Sequence, residues 1–294
     1  MDVKNWMDNN TWSLKGKTVA ITGSTGGLGR EICTYLASLG ASLVLLDRNA
    51  VASEQHKNSI LARFTGIEVN RISVDLEDIA SVKKATDELK TKDVDIFIHN
   101  AGAYSIPRHI CNTGYDNVFQ INFASPYYMI RELLPILDKK GGKVIAVGSI
   151  AHNYSNVDKS DVDFKTRKSS SKVYGNAKRY LMFSLSELFR SESNVKLALA
   201  HPGITFTNIT AHYPKLIFAI IKHPMKIIFM RPKKAALCIV KAVFDSTRYD
   251  EWIGPCFFDI WGMPKKKKLR TASEGERNYI ANKAQEIYGK LRMH

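Results

Sequence analysis

Residues 22–30 read TGSTGGLGR, with four glycines, Gly23, Gly26, Gly27 and Gly29, inside seven positions. Glycine costs backbone entropy, so such density needs a structural reason. The stretch follows an apolar run, Thr18-Val19-Ala20-Ile21, and precedes Glu-Ile-Cys-Thr-Tyr-Leu-Ala, which has a helical pattern. A strand, a glycine-rich turn and a helix together form a dinucleotide-binding unit. Glycine lets the backbone approach a pyrophosphate, and the next helix offers free N–H groups and the positive end of its dipole. No Gly-Lys-Ser/Thr follows, so this is not a Walker A loop. Gly23, Gly27 and Gly29 fit TGxxxGxG, whereas Gly23, Gly26 and Gly29 fit TGxxGxxG. The spacing alone leaves both patterns open.

The same alternation continues down the chain. Apolar runs at 17–22, 42–47, 67–74, 94–98, 143–148 and 195–200 predict strands. Helical patterns lie at about 27–39, 50–64, 78–91, 115–138 and 172–192. Strands alternating with helices predict a doubly wound α/β fold, a parallel sheet flanked by helices. A chain of 294 residues fits one or two domains. Here a single domain over 1–294 is expected. Residues 153–172 are polar and predict a surface loop, 272–291 are helical in pattern, and Lys265–Lys268 predict a solvated turn.

Charge and cysteine content bound the partners. The formal charge of +15 favours a phosphorylated cofactor, a membrane surface or nucleic acid. No interleaved basic and aromatic stacking surface is readable, so nucleic acid is not expected. The cysteines at 33, 111, 238 and 256 are far apart, so no metal or redox motif is read and a reducing, cytoplasmic location is expected. The polar start is unlike a secretory signal, and no run of 18 apolar residues predicts a membrane-spanning helix.

Further residues narrow the chemistry. The second strand ends in Asp47-Arg48. A carboxylate there accepts hydrogen bonds from an adenosine ribose and repels a 2′-phosphate, so Asp47 favours NAD. Arg48 beside it could hold a 2′-phosphate, which keeps NADP open. Tyr174-Gly-Asn-Ala-Lys178 places Tyr174 and Lys178 on one helix face. A free tyrosine has a pKa near ~10, too high for an efficient base at neutral pH. A neighbouring ammonium lowers that value. Ser149 ends the fifth strand, and its hydroxyl could hold a substrate oxygen.

In order, these motifs resemble the classical type of the short-chain dehydrogenase/reductase family, over about residues 15–207. Asn100-Ala101-Gly102 matches the family's NNAG, with His99 in place of the first Asn. Pro202-Gly203-Ile204-Thr205-Phe206-Thr207 matches its PGxxxT. Ser149 and Tyr174 are 25 residues apart, and Ser149-Ile-Ala-His152 precedes a polar loop. Both features resemble the retinol-dehydrogenase-like subgroup. Gly148 and Asp47 depart from it.

The resemblance implies a Rossmann fold with a C-terminal substrate-lid extension. It implies a catalytic set of Asn122, Ser149, Tyr174 and Lys178. Tyr174 would exchange the proton, and Lys178 would lower its pKa and bind the nicotinamide ribose. Ser149 would polarise the oxygen, and Asn122 would hold a water in a proton path. It implies cofactor contacts from Ser24, Thr25 and Leu28 besides the glycines, from Asp75 and Leu76 after the third strand, and from Pro202, Gly203, Ile204 and Thr207. The expected reaction is hydride transfer between NAD, or NADP, and a secondary alcohol or ketone. A non-catalytic NAD-binding sensor or scaffold and a sugar-nucleotide epimerase are the rival readings. The intact catalytic set argues against the first, and NAG and PGxxxT against the second.

Substrate elements are expected at 208–234. Residues 211–234 carry six Lys or Arg, two His and no acid, interleaved with LIFAII and IIFM. Such a segment suits a lid over a lipophilic, steroid- or retinoid-like substrate, a subunit contact, or a peripheral membrane contact. The family is commonly dimeric or tetrameric, so a homo-oligomer is expected.

Overall fold

The computed structural model describes residues 2–190, 194–205 and 229–294. Its framework is one eight-stranded sheet in the order β3-β2-β1-β4-β5-β6-β7-β8. The strands are β1 Thr18–Thr22, β2 Ser42–Asp47, β3 Val69–Ser73, β4 Ile96–His99, β5 Lys143–Val147, β6 Lys196–Ala200, β7 Glu251–Phe257 and β8 Trp261–Lys268. All neighbours pair in parallel except β7 and β8. The order of the first six strands is that of a Rossmann fold, whose ligand crevice opens at the carboxyl ends of the strands where the order reverses.

Alternation along the strands builds two cores. Val44 and Leu46 enter one, with Phe97, Val144, Ala146, Leu197 and Leu199. Leu43 and Leu45 enter the other, with Val19, Ile21, Ile98, Ile145 and Ala198. The first face is covered by α4 Ile79–Lys90, α6 Ser125–Asp138, α7 Ser170–Leu188 and the final helix α9 Glu274–Met293. The second is covered by α2 Gly27–Ser38, α3 Ala50–Leu61 and α8 Pro232–Phe244. α8 begins with Pro232 at its first position, where a missing N–H costs nothing. A short α1, Val3–Asn10, seats Trp6 on Leu237 and Val240.

Two expectations change. Lys265–Lys268 form no turn: they are the end of β8, antiparallel to β7, with Lys267 bonded to Asp259 and Lys268 to Asp250. The expected helix at 115–138 is α5 Asn117–Phe119, a π turn Gln120–Ala124, then α6. Among the described residues no helix is long and apolar enough to cross a membrane. Thr207 and residues 208–228 of the expected 208–234 lid lie outside the described residues, and its last part, 229–234, leads into and begins α8.

Candidate active site

The site starts at the glycine turn. Gly23 has φ +69°, and a Cβ there would lie 2.9 Å from the Ala101 Cα. A Cβ on Gly29 would lie 2.2 Å from the Gly23 carbonyl oxygen. Only glycine permits these approaches. Gly26 caps α2 with no side-chain hydrogen bond, so the first-turn N–H groups stay free for an anion. The Thr22 hydroxyl oxygen accepts from the amides of Asn100 and Ala101 at 3.1 Å. Asn100 Nδ2 donates to the carbonyls of Thr22 and Gly23 at 3.1 and 3.0 Å. The NAG segment is thus stitched to the glycine turn.

Asp47 closes the end of β2. One carboxylate oxygen accepts from the amide and hydroxyl of Thr25, at 3.1 and 3.2 Å. The other accepts from the hydroxyls of Ser24 at 2.5 Å and Ser53 at 2.8 Å. All four donors are neutral, so the carboxylate charge stays unpaired in the crevice while its lone pairs are engaged. Ser24 is fully buried and lies outside the cavity lining, so it acts on the cavity through Asp47 and not by direct contact. Arg48 is exposed and pairs with Glu77 at 3.3 Å.

The four expected catalytic residues come from three elements. Ser149 follows β5 and caps the 3₁₀ turn Ile150–Tyr154, its hydroxyl accepting from the Ala151 amide at 3.2 Å. Tyr174 and Lys178 share one face of α7, and the Lys178 Nζ lies 5.7 Å from the Tyr174 ring centroid. Lys178 Nζ donates to the Val147 carbonyl at 2.9 Å. Burial pushes the Tyr174 hydroxyl up to about 12; a hydrogen bond to Ser149 works against that shift, and Tyr104 adds to it. Burial pulls Lys178 down to about 7. The expected lowering of Tyr174 by Lys178 is not seen: desolvation disfavours both charged forms.

Asn122 lies in the π turn, where the i−4 carbonyl of Val118 is freed from the helix ladder. Asn122 Nδ2 donates to that carbonyl and to the Ala103 carbonyl, both at 2.8 Å. Its Oδ1 accepts from the Ala103 amide at 3.3 Å. The side chain is fully buried and sits behind the cavity wall. A Cβ on Gly102 would meet Asn122 Oδ1 at 2.8 Å and Lys178 Nζ at 3.5 Å, so Gly102 lets the two side chains flank the loop.

One cavity of about 970 Å³ joins these parts. Its walls include the glycine turn with Thr25 and Leu28, then Asp47 and Arg48, then Asp75 and Leu76. They continue through Asn100 to Gly102, Ser149, Tyr174 and Lys178, and reach Pro202, Gly203 and Ile204. Its size reaches the upper end of the ~300–1,000 Å³ range of small-molecule sites. Glycine cradle, free helix N-terminus and length all fit a dinucleotide. Asp75 is not the cap of α4, a role taken by Asp78; its carboxylate instead accepts from the Glu77 amide at 3.0 Å.

The structure adds roles the sequence left unassigned. Tyr104 packs edge-on to Tyr174 with centroids 5.3 Å apart. Its place just after NAG was the only signal for it. His152 is buried, with Nδ1 2.6 Å from the Ser149 carbonyl and Nε2 2.8 Å from the Thr271 hydroxyl. Arg179, next to Lys178, donates to the carbonyls of His152 and Thr271 and to both carboxylate oxygens of Glu276. The helix that carries the tyrosine is thereby locked to the C-terminal helix.

Comparison with known proteins agrees with this geometry. The family model described as short chain dehydrogenase matches residues 17–215. The short chain dehydrogenase resG of Aspergillus sclerotiorum is 30% identical over 231 residues, covering 67% of this chain and 64% of that protein. Human retinol dehydrogenase 13 is 27% identical over 206 residues, covering 68% of this chain and 62% of that protein. The chain thus spans a little under two thirds of the length of both relatives. A crystal structure of an uncharacterised protein from Mycobacterium paratuberculosis has the same fold, with a TM-score of 0.73, 22% identity and coverage of 96% and 94% of the two chains.

Proposed function

The chain belongs to the short chain dehydrogenase family, and we propose that it moves a hydride between a nicotinamide cofactor and the carbon of a secondary alcohol or ketone. The observation that carries this reading is that Ser149, Tyr174 and Lys178 line the same cavity as the glycine turn. When bound, the nicotinamide ring gives or takes the hydride.

The protein's own residues handle the proton. In reduction the Tyr174 hydroxyl gives its proton to the substrate oxygen, and in oxidation the phenolate takes it back. A hydroxyl held near 12 is protonated at neutral pH, the form that serves reduction. Ser149 holds the substrate oxygen by hydrogen bonding. Lys178, near 7, can carry a proton in either direction at neutral pH and would bind the nicotinamide ribose. Both amide hydrogens of Asn122 are taken by backbone carbonyls, and its Oδ1 accepts from the Ala103 amide. Its side chain holds the 101–103 loop against Lys178.

NAD is the proposed cofactor. Among the described residues the Asp47 carboxylate has only neutral hydrogen-bond partners, so a 2′-phosphate beside it meets a negative charge. Its lone pairs are taken, so the discrimination is repulsive: it acts against NADP more than it binds the NAD ribose. The wall beyond Tyr174 supports a lipophilic substrate, with Tyr104, Ile106, Ile150, Tyr154 and Phe229 lining it.

The test is cofactor turnover against a panel of steroids, retinoids, bile acids and small ketones, with NADH and NADPH side by side. Turnover with apolar ketones, faster with NADH, is expected. Saturable cofactor binding with no turnover on any compound would favour a non-catalytic sensor.

A further inference from the structure

The hairpin of β7 and β8 ends in an exposed aromatic turn. At its tip Phe258 and Asp259 have φ of 51° and 57°, conformations that side chains other than glycine rarely adopt. Three contacts hold the turn in place. His201 Nε2 donates to the Asp259 carbonyl at 2.9 Å. Lys267 Nζ donates to the Asp259 carboxylate at 2.8 Å and to the Pro255 carbonyl at 2.9 Å. Such strain persists only where surrounding structure over-determines it, and it clusters at functional sites. What it displays here is Phe257, 63% exposed, and Phe258, 83% exposed. Rings this exposed bury little apolar area within the fold.

Positive charge surrounds the turn. A Cβ on Gly203 would lie 2.6 Å from the Ile260 carbonyl oxygen, 2.8 Å from Met230 Cε and 3.0 Å from Pro255 Cγ. The turn and the chain entering α8 therefore meet at one point. Arg231 and Lys233 at that entry, and Lys265 and Lys266 on β8, are exposed. None of the four has an ion-pair partner among the described residues. The hairpin's acids are spoken for: Asp259 pairs with Lys267, Asp250 with Lys268, and Glu251 lies opposite Lys268 at the far end.

We propose that this turn docks the protein on an anionic lipid bilayer, with Phe257 and Phe258 entering the interface and the cations meeting the headgroups. A strand rises ~3.4 Å per residue, so Lys265 sits roughly 14 Å behind Trp261, within side-chain reach of headgroup depth when aromatic rings enter by ~5–10 Å. A second copy is the poorer occupant. β8 is the outer edge of the sheet, and edge-to-edge pairing would set one lysine run against another. The inference does not depend on which substrate the cavity takes.

Co-sedimentation of the full chain with phosphatidylserine-rich vesicles tests it, with phosphatidylcholine vesicles as control. The protein is expected to pellet with the anionic vesicles only, and less so as salt is raised. Phe257→Ser combined with Phe258→Asn should weaken pelleting by about tenfold or more; Asn tolerates the positive φ. Lys233→Glu and Lys265→Glu, both at exposed positions, should each weaken it by about fivefold or more. The proposal is overturned if the parent protein stays in the supernatant, or if all these variants pellet like it. A dimer in gel filtration that the phenylalanine variant dissociates, with no vesicle binding, would assign the face to a second copy and overturn it equally.

Discussion

His152 Nδ1 lies 2.6 Å from the carbonyl oxygen of Ser149, which can only accept, so that nitrogen carries the proton. Nε2 is then bare and accepts from the Thr271 hydroxyl at 2.8 Å. Burial holds the ring neutral by pulling its pKa down to about 4. Through this neutral ring the segment before α9, beyond the family-matched residues 17–215, fixes the peptide that carries Ser149.

The first prediction follows from that link. Thr271 is exposed, so Thr271→Val removes the hydroxyl without opening a core cavity. Small misplacements near a reacting centre cost up to ~100-fold, and a tenfold or greater loss of kcat is expected here with the NADH dissociation constant unchanged. Thr271→Ser should restore the rate. Steady-state kinetics with fluorescence titration of NADH check both.

Lys178 sets a pH dependence of stability. Its folded pKa, about 7, lies below the unfolded value near 10.5. Between those values the unfolded chain binds the extra proton, so stability rises with pH. The cost of burying this lysine is full below about pH 7 and fades towards pH 10.5. It amounts to on the order of a few kcal/mol. Lys178→Met should be inactive yet more stable than the parent near neutral pH, with the advantage shrinking as pH rises. Denaturant unfolding across that range measures it, and a constant difference would contradict the assignment.

Asp47 governs the cofactor. Asp47→Ser removes the charge that repels a 2′-phosphate, so NADPH use should rise relative to NADH by about tenfold or more. The variant also frees the hydroxyls of Ser24 and Ser53 and the Thr25 amide, so some loss of affinity for NADH is expected. The ratio of kcat/KM for the two cofactors is the quantity to compare.

Local spacing made much of this site legible. The glycine turn, NAG, Ser149 and YxxxK are short motifs whose order along alternating strands and helices fixes their place at the sheet's carboxyl edge. What was hidden depends on tertiary contact. Ser53 meets Asp47 only because α3 folds back beside β2. Thr271 reaches His152 across 119 residues. The π turn at 120–124 leaves no periodic trace, so the spacing did not show that the Asn122 amide is spent on Val118 and Ala103. Four lysines in a row look like a solvated turn, yet an edge strand lets each reach solvent or an acid while its backbone pairs with β7. Gly254 and Pro255 disguised β7 in the same way.

Tyr174→Phe gives the most direct measurement of the central claim. The substitution deletes one hydroxyl and leaves the ring that packs on Tyr104. NADH binding and turnover of the best ketone from the panel should be measured on the same preparation. The expected result is an unchanged NADH dissociation constant with turnover reduced by about a thousandfold or more, since a positioned proton donor contributes ~10²–10⁴ in rate. Turnover within a few fold of the parent would show that another group supplies the proton and would contradict the account.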